Sequence, residues 1–208
     1  VLFTWRPDLL VLSRFPQLAG DAGKARALAS SIFQHADWQA FDRGTLDQRS
    51  VVQRTVQRLQ LPHAEVDALV AAIAEHLTPI TGTVDIVHRL HQQRLGQADV
   101  RLYYLSNMPE PFARGLQARH GFLQHFDGGI FSGDVQLAKP QPEIFQLLES
   151  RYSLMPCDTV FIDDLAANVE AAGLRGWRGI HFESPAQLAL ELAAHLDDSQ
   201  AGSTRQRE

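Results

Sequence analysis

The sequence predicts an α/β protein, a parallel-sheet core with an all-helical unit inserted near its N-terminus. Three observations predict it. Residues from about Asp8 to Leu77 are dominated by alanine, leucine, glutamine and arginine and hold no convincing period-two run, which is the texture of helices. From Thr78 onward, short β-rich runs alternate with helical stretches, the order that builds a parallel sheet with helices on both faces. Polar residues collect where those β-rich runs stop.

The elements follow in order. Pro16-Gln-Leu-Ala-Gly20 and Leu61-Pro62-His63 punctuate the helical unit as helix breaks. Gly44, after Trp38-Gln-Ala-Phe-Asp-Arg, reads as a C-terminal helix stop. Thr78 to Thr83 reads as a loop, and Val84 to Gln93 as an amphipathic helix. Val100 to Leu105 reads as a strand halted by Ser106-Asn107, and Phe112 to His120 as a helix. Gly129 to Ser132 is a short strand. Pro142 to Tyr152 is a helix with proline in its first turn. Thr159 to Ile162 is an apolar strand stopped by Asp163-Asp164. Asn168 to Leu174 is a helix, Gly179 to Phe182 a strand and Pro185 to His195 a last helix. The polar run from Asp197 to Glu208 is expected to be disordered. These spans assign residues 1–8 and 79–196 to the core, 9–78 to the helical unit and 197–208 to a tail.

Composition narrows the function. The 208 residues are 45% hydrophobic and 21% charged, with net charge −5 and pI near 6.0. That balance gives no electrostatic reason to expect a nucleic-acid or anionic-membrane partner. Cys157 is the only cysteine, so no internal disulfide forms, which fits a reducing compartment. Arg6, Pro7 and Asp8 interrupt the apolar start too early for a signal peptide, and no apolar run approaches a membrane span. A cytoplasmic location is the expectation. Oligomeric state is not readable from the sequence.

Three groups carry chemistry, and each has a plainer alternative. Asp163-Asp164 sets two carboxylates at a strand tip, where ionising both is costly. A divalent cation such as Mg²⁺ relieves that cost; alternatively, Asp164 caps the next helix. Ser106-Asn107 offers a hydroxyl, a carboxamide and backbone N–H groups at a strand-to-helix turn. Such a turn can cradle a phosphoryl group or be an ordinary cap. Lys139, ahead of Pro140 and a proline-started helix, can place an ammonium beside an anion or sit solvated at the surface. In open α/β sheets, ligands bind beyond the carboxyl ends of the strands. Ser106-Asn107 and Asp163-Asp164 stand at such ends, and Lys139 stands at the boundary of a helix.

Taken in order, Leu105-Ser-Asn107, then Lys139-Pro140, then Phe161-Ile-Asp-Asp-Leu-Ala-Ala-Asn168 resemble the second, third and fourth motifs of the haloacid dehalogenase superfamily. Phe131-Ser-Gly-Asp-Val135 and Asn168-Val-Glu-Ala-Ala-Gly-Leu-Arg-Gly176 extend the resemblance over nearly the whole chain. It is nearest the helical-cap branch that contains glucose-1-phosphatase-like proteins and the N-terminal phosphatase of soluble epoxide hydrolase. The resemblance implies a Rossmann-like core with an inserted helical cap. Trp38…Asp42-Arg-Gly44 resembles a stretch of such caps, and no catalytic role is assigned to it.

The resemblance also implies chemistry. The family's nucleophile is an aspartate at the tip of the first core strand. Val1-Leu-Phe-Thr4 could be that strand with threonine in its place, but Trp5-Arg-Pro7 fits better as the segment just after the first motif. The nucleophile is therefore expected upstream of Val1. The implied activity is Mg²⁺-dependent hydrolysis of a small phosphate monoester, such as a sugar phosphate, through an aspartyl-phosphate. Asp164 would bind metal. Asp163 would orient water or accept a hydrogen bond behind the site. Ser106, Asn107 and Lys139 would hold the phosphate, Lys139 would also offset charge, and Asn168 would support the site. A 2-haloacid dehalogenase and a non-catalytic anion-binding protein are the alternatives; the paired acids favour the phosphatase. His35, His63 and His76 have no spacing that makes a metal site.

Overall fold

The computed structural model describes the backbone of residues 1–95 and 100–205, with side chains through residue 195. Five helices form the inserted unit: α1 (Pro7–Arg14), α2 (Ala22–Phe33), α3 (Ala36–Asp42), α4 (Gln48–Leu59) and α5 (His63–His76). Their starts are set locally. The Asp21 carboxylate accepts from the Lys24 N–H to cap α2, and Asp47 does the same for α4 through Ser50. The His35 ring accepts from the Asp37 N–H at the start of α3. The inward faces meet in one apolar cluster that includes Leu10, Ile32, Trp38, Phe41, Val51 and Leu69, and Phe112 and Leu116 from the core pack into it.

The chain passes between core and cap at one place. β1 (Phe3–Thr4) pairs antiparallel with β2 (Thr78–Pro79), Phe3 opposite Pro79. This settles the reading of Val1 to Thr4: the segment is one half of the cap hinge and not a strand of the parallel sheet. It also replaces the loop expected at Thr78 to Thr83, because the long helix α6 (Thr81–Leu95) begins within it.

The core holds two parallel strand pairs. β3 (Tyr103–Ser106) pairs with β4 (Gly128–Phe131) through the crossover helix α7 (Glu110–Arg119). A one-turn helix α8 (Ser132–Val135) and α9 (Pro142–Tyr152) follow. β5 (Val160–Asp163) pairs with β6 (Arg178–His181) through α10 (Ala166–Gly173), and α11 (Pro185–Arg205) ends the described chain. Among the described residues β3 and β5 are not hydrogen-bonded to each other, so the single sheet expected from the sequence is two separate pairs. α11 also continues to Arg205, past the stop expected at His195, so residues 197–205 are helical where a disordered tail was expected.

Strand alternation places a core on each face of these pairs. Phe161 points toward Ile144, Phe145, Leu148 and Trp177 beside α9 and α10. Val160 and Ile162 point toward Ile86, Ile180 and Leu188 beside α6 and α11. This is a three-layer arrangement, with the carboxyl ends of β3 and β5 at the same edge. No helix among the described residues is long and apolar enough to cross a membrane.

Candidate active site

Ser106 ends β3, Lys139 precedes α9, and Asp163 ends β5. All six residues singled out from the sequence, Ser106, Asn107, Lys139, Asp163, Asp164 and Asn168, line one cavity of about 790 Å³. Positions up to 62 residues apart in sequence meet because the two parallel pairs present their carboxyl ends together.

Lys139 is the hub. Its ammonium donates to the Asp163 carboxylate at 2.6 Å and to the Leu105 carbonyl at 2.7 Å. Both side chains of the ion pair are under 10% exposed, which rules out a solvated surface lysine. The ammonium also lies 5.5 Å from the centre of the Phe161 ring, within cation–π range. Asn107 fixes the backbone that carries it: its amide donates to the Lys139 carbonyl and its oxygen accepts from the Lys139 N–H, each at 2.9 Å. The Lys139–Pro140 peptide is cis. The Asn107 side chain is thus engaged in positioning the lysine, and Ser106 lines the cavity beside it.

The two acids divide their roles by environment. Asp163 is buried; its second oxygen accepts from the Leu165 N–H and from the Asn168 amide, both at 2.9 Å. It thereby holds the turn that leads into α10, whose N-cap residue is Leu165 and which neither Asp163 nor Asp164 caps. The Asp164 side chain is 62% exposed, 3.6 Å from the Val1 α-amino group. Only Asp164 of the pair has carboxylate oxygens open to a hard cation. Mg²⁺ takes one or two protein carboxylates and fills its shell with water and phosphate, so this donor set fits it as a one-carboxylate site. Among the described residues no three His, Cys, Asp or Glu side chains group as a metal site.

One residue set aside in the sequence belongs to the cavity. Asp42, at the end of α3, lines it with Trp5, Phe33, Trp38 and Phe112. Burial among these groups pushes its carboxyl up from 3.8 to about 7, against a hydrogen bond from Trp38 that lowers it. The cap is tied down beside it: the Ser132 hydroxyl donates to the Asp42 carbonyl and accepts from the Met108 N–H. Gly44 has φ +76°, and a Cβ there would collide with the Gly133 carbonyl oxygen. The signal available in the sequence was Asp42-Arg-Gly44 itself, an acid two residues before a glycine at a helix end.

A carboxyl whose folded value lies above its ordinary one lowers stability as it ionises. The cost is absent below about pH 4, grows as pH rises toward 7 and is complete above it. A rise from 3.8 to about 7 corresponds to roughly 4 kcal/mol, and partial exposure of the residue reduces this to about 2–4 kcal/mol. Asp42→Asn should remove that fall, so that urea unfolding of the variant changes less between pH 4.5 and 8 than that of the parent. Parallel pH profiles for the two proteins would show that Asp42 is not held protonated.

A family profile described as haloacid dehalogenase-like hydrolase matches residues 17–174. The chain belongs to the haloacid dehalogenase-like hydrolases. Within this family it is 24% identical over 192 residues to the sesquiterpene phosphatase astK of Aspergillus oryzae, covering 92% of this chain and 90% of that one. It is 32% identical over 82 residues to a phosphoglycolate phosphatase of Salmonella typhimurium, of which the match spans only 32%. Solved haloacid dehalogenase-like structures share the fold. A family enzyme of Bacteroides thetaiotaomicron in complex with magnesium and inorganic phosphate aligns with TM-score 0.67 at 17% identity, covering 88% of this chain and 89% of that one. An L-2-haloacid dehalogenase of Xanthobacter autotrophicus aligns with TM-score 0.61 at 18% identity, covering 93% and 78%.

Proposed function

We propose that this hydrolase is a Mg²⁺-dependent phosphatase of small phosphate monoesters, acting through an aspartyl-phosphate whose aspartate is carried upstream of Val1. The observation that carries the reading is the buried Lys139 ammonium, set between the Ser106-Asn107 turn and Asp163-Asp164. A fixed cation beside hydroxyl and backbone donors stabilises a trianionic or dianionic group where charge develops. Mg²⁺, held by Asp164, would supply further neutralisation of the phosphoryl oxygens.

The chain's own groups divide the remaining work. Ser106 and the Asn107 backbone hold phosphoryl oxygens. Lys139 offsets charge on the phosphate and on the attacking carboxylate. Asp163 keeps Lys139 extended into the site, and Asn168 keeps Asp163 oriented. The attacking carboxylate forms a bond to phosphorus as the ester P–O bond breaks, and the departing alkoxide takes a proton from solvent to leave as the alcohol; water then attacks the phosphorus of the acyl phosphate, losing a proton to solvent, so that inorganic phosphate is released and the aspartate carboxylate returns. A sugar phosphate is one candidate substrate. The aromatic lining from Trp5, Phe33, Trp38 and Phe112 suits an organic group with apolar surface, and the similarity to a sesquiterpene phosphatase points the same way. The reading includes a cytoplasmic setting and a phosphorylated metabolite as the sole partner.

The test is steady-state hydrolysis of an aryl phosphate by this chain and by a form with its native upstream residues restored, each with and without Mg²⁺. Activity only in the restored form, lost in chelator by at least 100-fold, is expected. A restored form that is inert toward phosphates but dechlorinates 2-haloacids in chelator would replace this reading with the dehalogenase.

A further inference from the structure

Among the described residues the acids that line the cavity are Asp42, Asp158, Asp163 and Asp164. The last three have a place already. Asp163 is engaged by Lys139, Leu165 and Asn168. Asp164 is the exposed candidate for a cation. Asp158 is exposed and precedes the amino end of β5, whereas Lys139 meets the carboxyl end. Asp42 remains, the only one of these acids that the cap carries. Burial and a hydrogen bond from Trp38 act on its carboxyl, and no basic side chain is among the influences on it.

Backbone contacts fix where this acid stands. The Ser132 hydroxyl donates to the Asp42 carbonyl and accepts from the Met108 N–H. One hydroxyl therefore joins the end of α3 to the residue that follows Ser106-Asn107. The Gly133 N–H donates to the Met108 carbonyl at 3.2 Å, and Gly44 lies against the Gly133 backbone. The end of α3 is thus held beside the Ser106-Asn107 turn without use of the Asp42 side chain, which lines the cavity. Ser106, Asn107 and Lys139 gather the donors on the core side, and Trp5, Phe33, Trp38 and Phe112 accompany Asp42. A phosphoryl group held by the core donors turns its ester oxygen and organic group away from them, toward Asp42.

We propose that Asp42 is the general acid and base of ester hydrolysis, carrying the protons that otherwise pass directly between the reactants and solvent. This deepens the phosphatase reading and rests on it. As the ester P–O bond breaks, its electron pair stays on the ester oxygen, and the Asp42 O–H proton moves to that oxygen, so the alcohol leaves neutral. In the second step the oxygen of the attacking water bonds to phosphorus while the Asp42 carboxylate takes the proton that the water loses. Asp42 ends the cycle in its acid form, with no net proton gained or lost. Its burial suits both steps: a carboxyl raised to about 7 keeps its proton near neutrality and, once ionised, is basic enough to recover it. The proton matters most for an alkyl ester, whose alkoxide is a poor leaving group.

The experiment measures kcat/KM for 2-phenylethyl phosphate and for 4-nitrophenyl phosphate, with Mg²⁺, from pH 5 to 9. It uses the full chain with its native upstream residues and its Asp42→Asn and Asp42→Glu variants. Asp42→Asn should lose about 100-fold or more on the alkyl ester and less than about 5-fold on the nitrophenyl ester, whose leaving oxygen needs no proton. In the parent, the alkyl-ester rate should fall as pH rises through about 7, where the acid form is lost, and Asp42→Asn should lack that fall. Asp42→Glu should recover part of the alkyl-ester rate, and it decides by the same comparison if the asparagine variant does not fold. Equal losses on the two esters, the result of a merely structural role, overturn the assignment, as does an undiminished alkyl-ester rate. Both of these leave the phosphatase reading standing. A parent inert toward both esters removes that reading and the assignment with it.

Discussion

Replacing Lys139 with methionine is expected to lower the unfolding free energy by about 3–5 kcal/mol. The loss comes from leaving Asp163 charged and buried without its cation. Methionine keeps most of the apolar stem over Phe161, so the change isolates the ammonium. The Leu165 N–H and the Asn168 amide still solvate one oxygen of Asp163, which places the expected loss toward the lower end. Asp163→Asn should cost less, because its amide still accepts from Asn168 or Leu165. The double variant should be more stable than the sum of the single losses predicts, since it removes both charges together. Urea unfolding of all four proteins at pH 7 measures this. Strictly additive losses would show that the pair is not coupled. In a catalytically competent form, Lys139→Met should also reduce kcat by two orders of magnitude or more, matching about 3 kcal/mol of lost charge stabilisation.

Gly44→Ala is expected to cost about 2–4 kcal/mol and to lower the melting temperature by roughly 5–15 °C. Two effects add. The φ of +76° disfavours any residue with a Cβ. The new methyl would also meet the backbone of Gly133, which cannot rotate away as a side chain could. Because Gly133 adjoins Ser132, the clash acts where the cap is anchored to the core, beside Asp42. Gly115→Ala is the control: it lies in α7 with nothing within 4 Å of its would-be Cβ, and alanine there should stabilise by about 0.5–1 kcal/mol. A Gly44→Ala protein that melts with the parent would mean the cap docks with more freedom than this contact allows.

Both effects act through residues whose types were visible in the sequence and whose partners were not. Period and breakers gave every strand of the two parallel pairs to within a few residues, and α9 from Pro142 to Tyr152 without error. Strand and helix identity is a local property of apolar spacing and of proline and glycine placement, so it is readable along the chain. The motif order Ser106-Asn107, Lys139, Asp163-Asp164 was equally readable, because each group sits at a boundary those same local signals define.

What the sequence could not decide was which atoms of those groups meet. Asp163 and Asp164 are adjacent and identical in type, yet one is buried against Lys139 and the other is largely exposed. Strand alternation sends successive side chains to opposite sides, and only the packing around β5 determines which side is dry. Asn107 could equally have faced a phosphate or a backbone; its pairing with Lys139 depends on a loop 32 residues away. Asp42 reads as the end of a surface helix until the cap folds over the core and removes its water. Residue types and their order were thus set by the sequence itself. The division between the buried and the exposed carboxylate came only from tertiary packing, because desolvation and hydrogen-bond pairing depend on neighbours that the chain brings from far away.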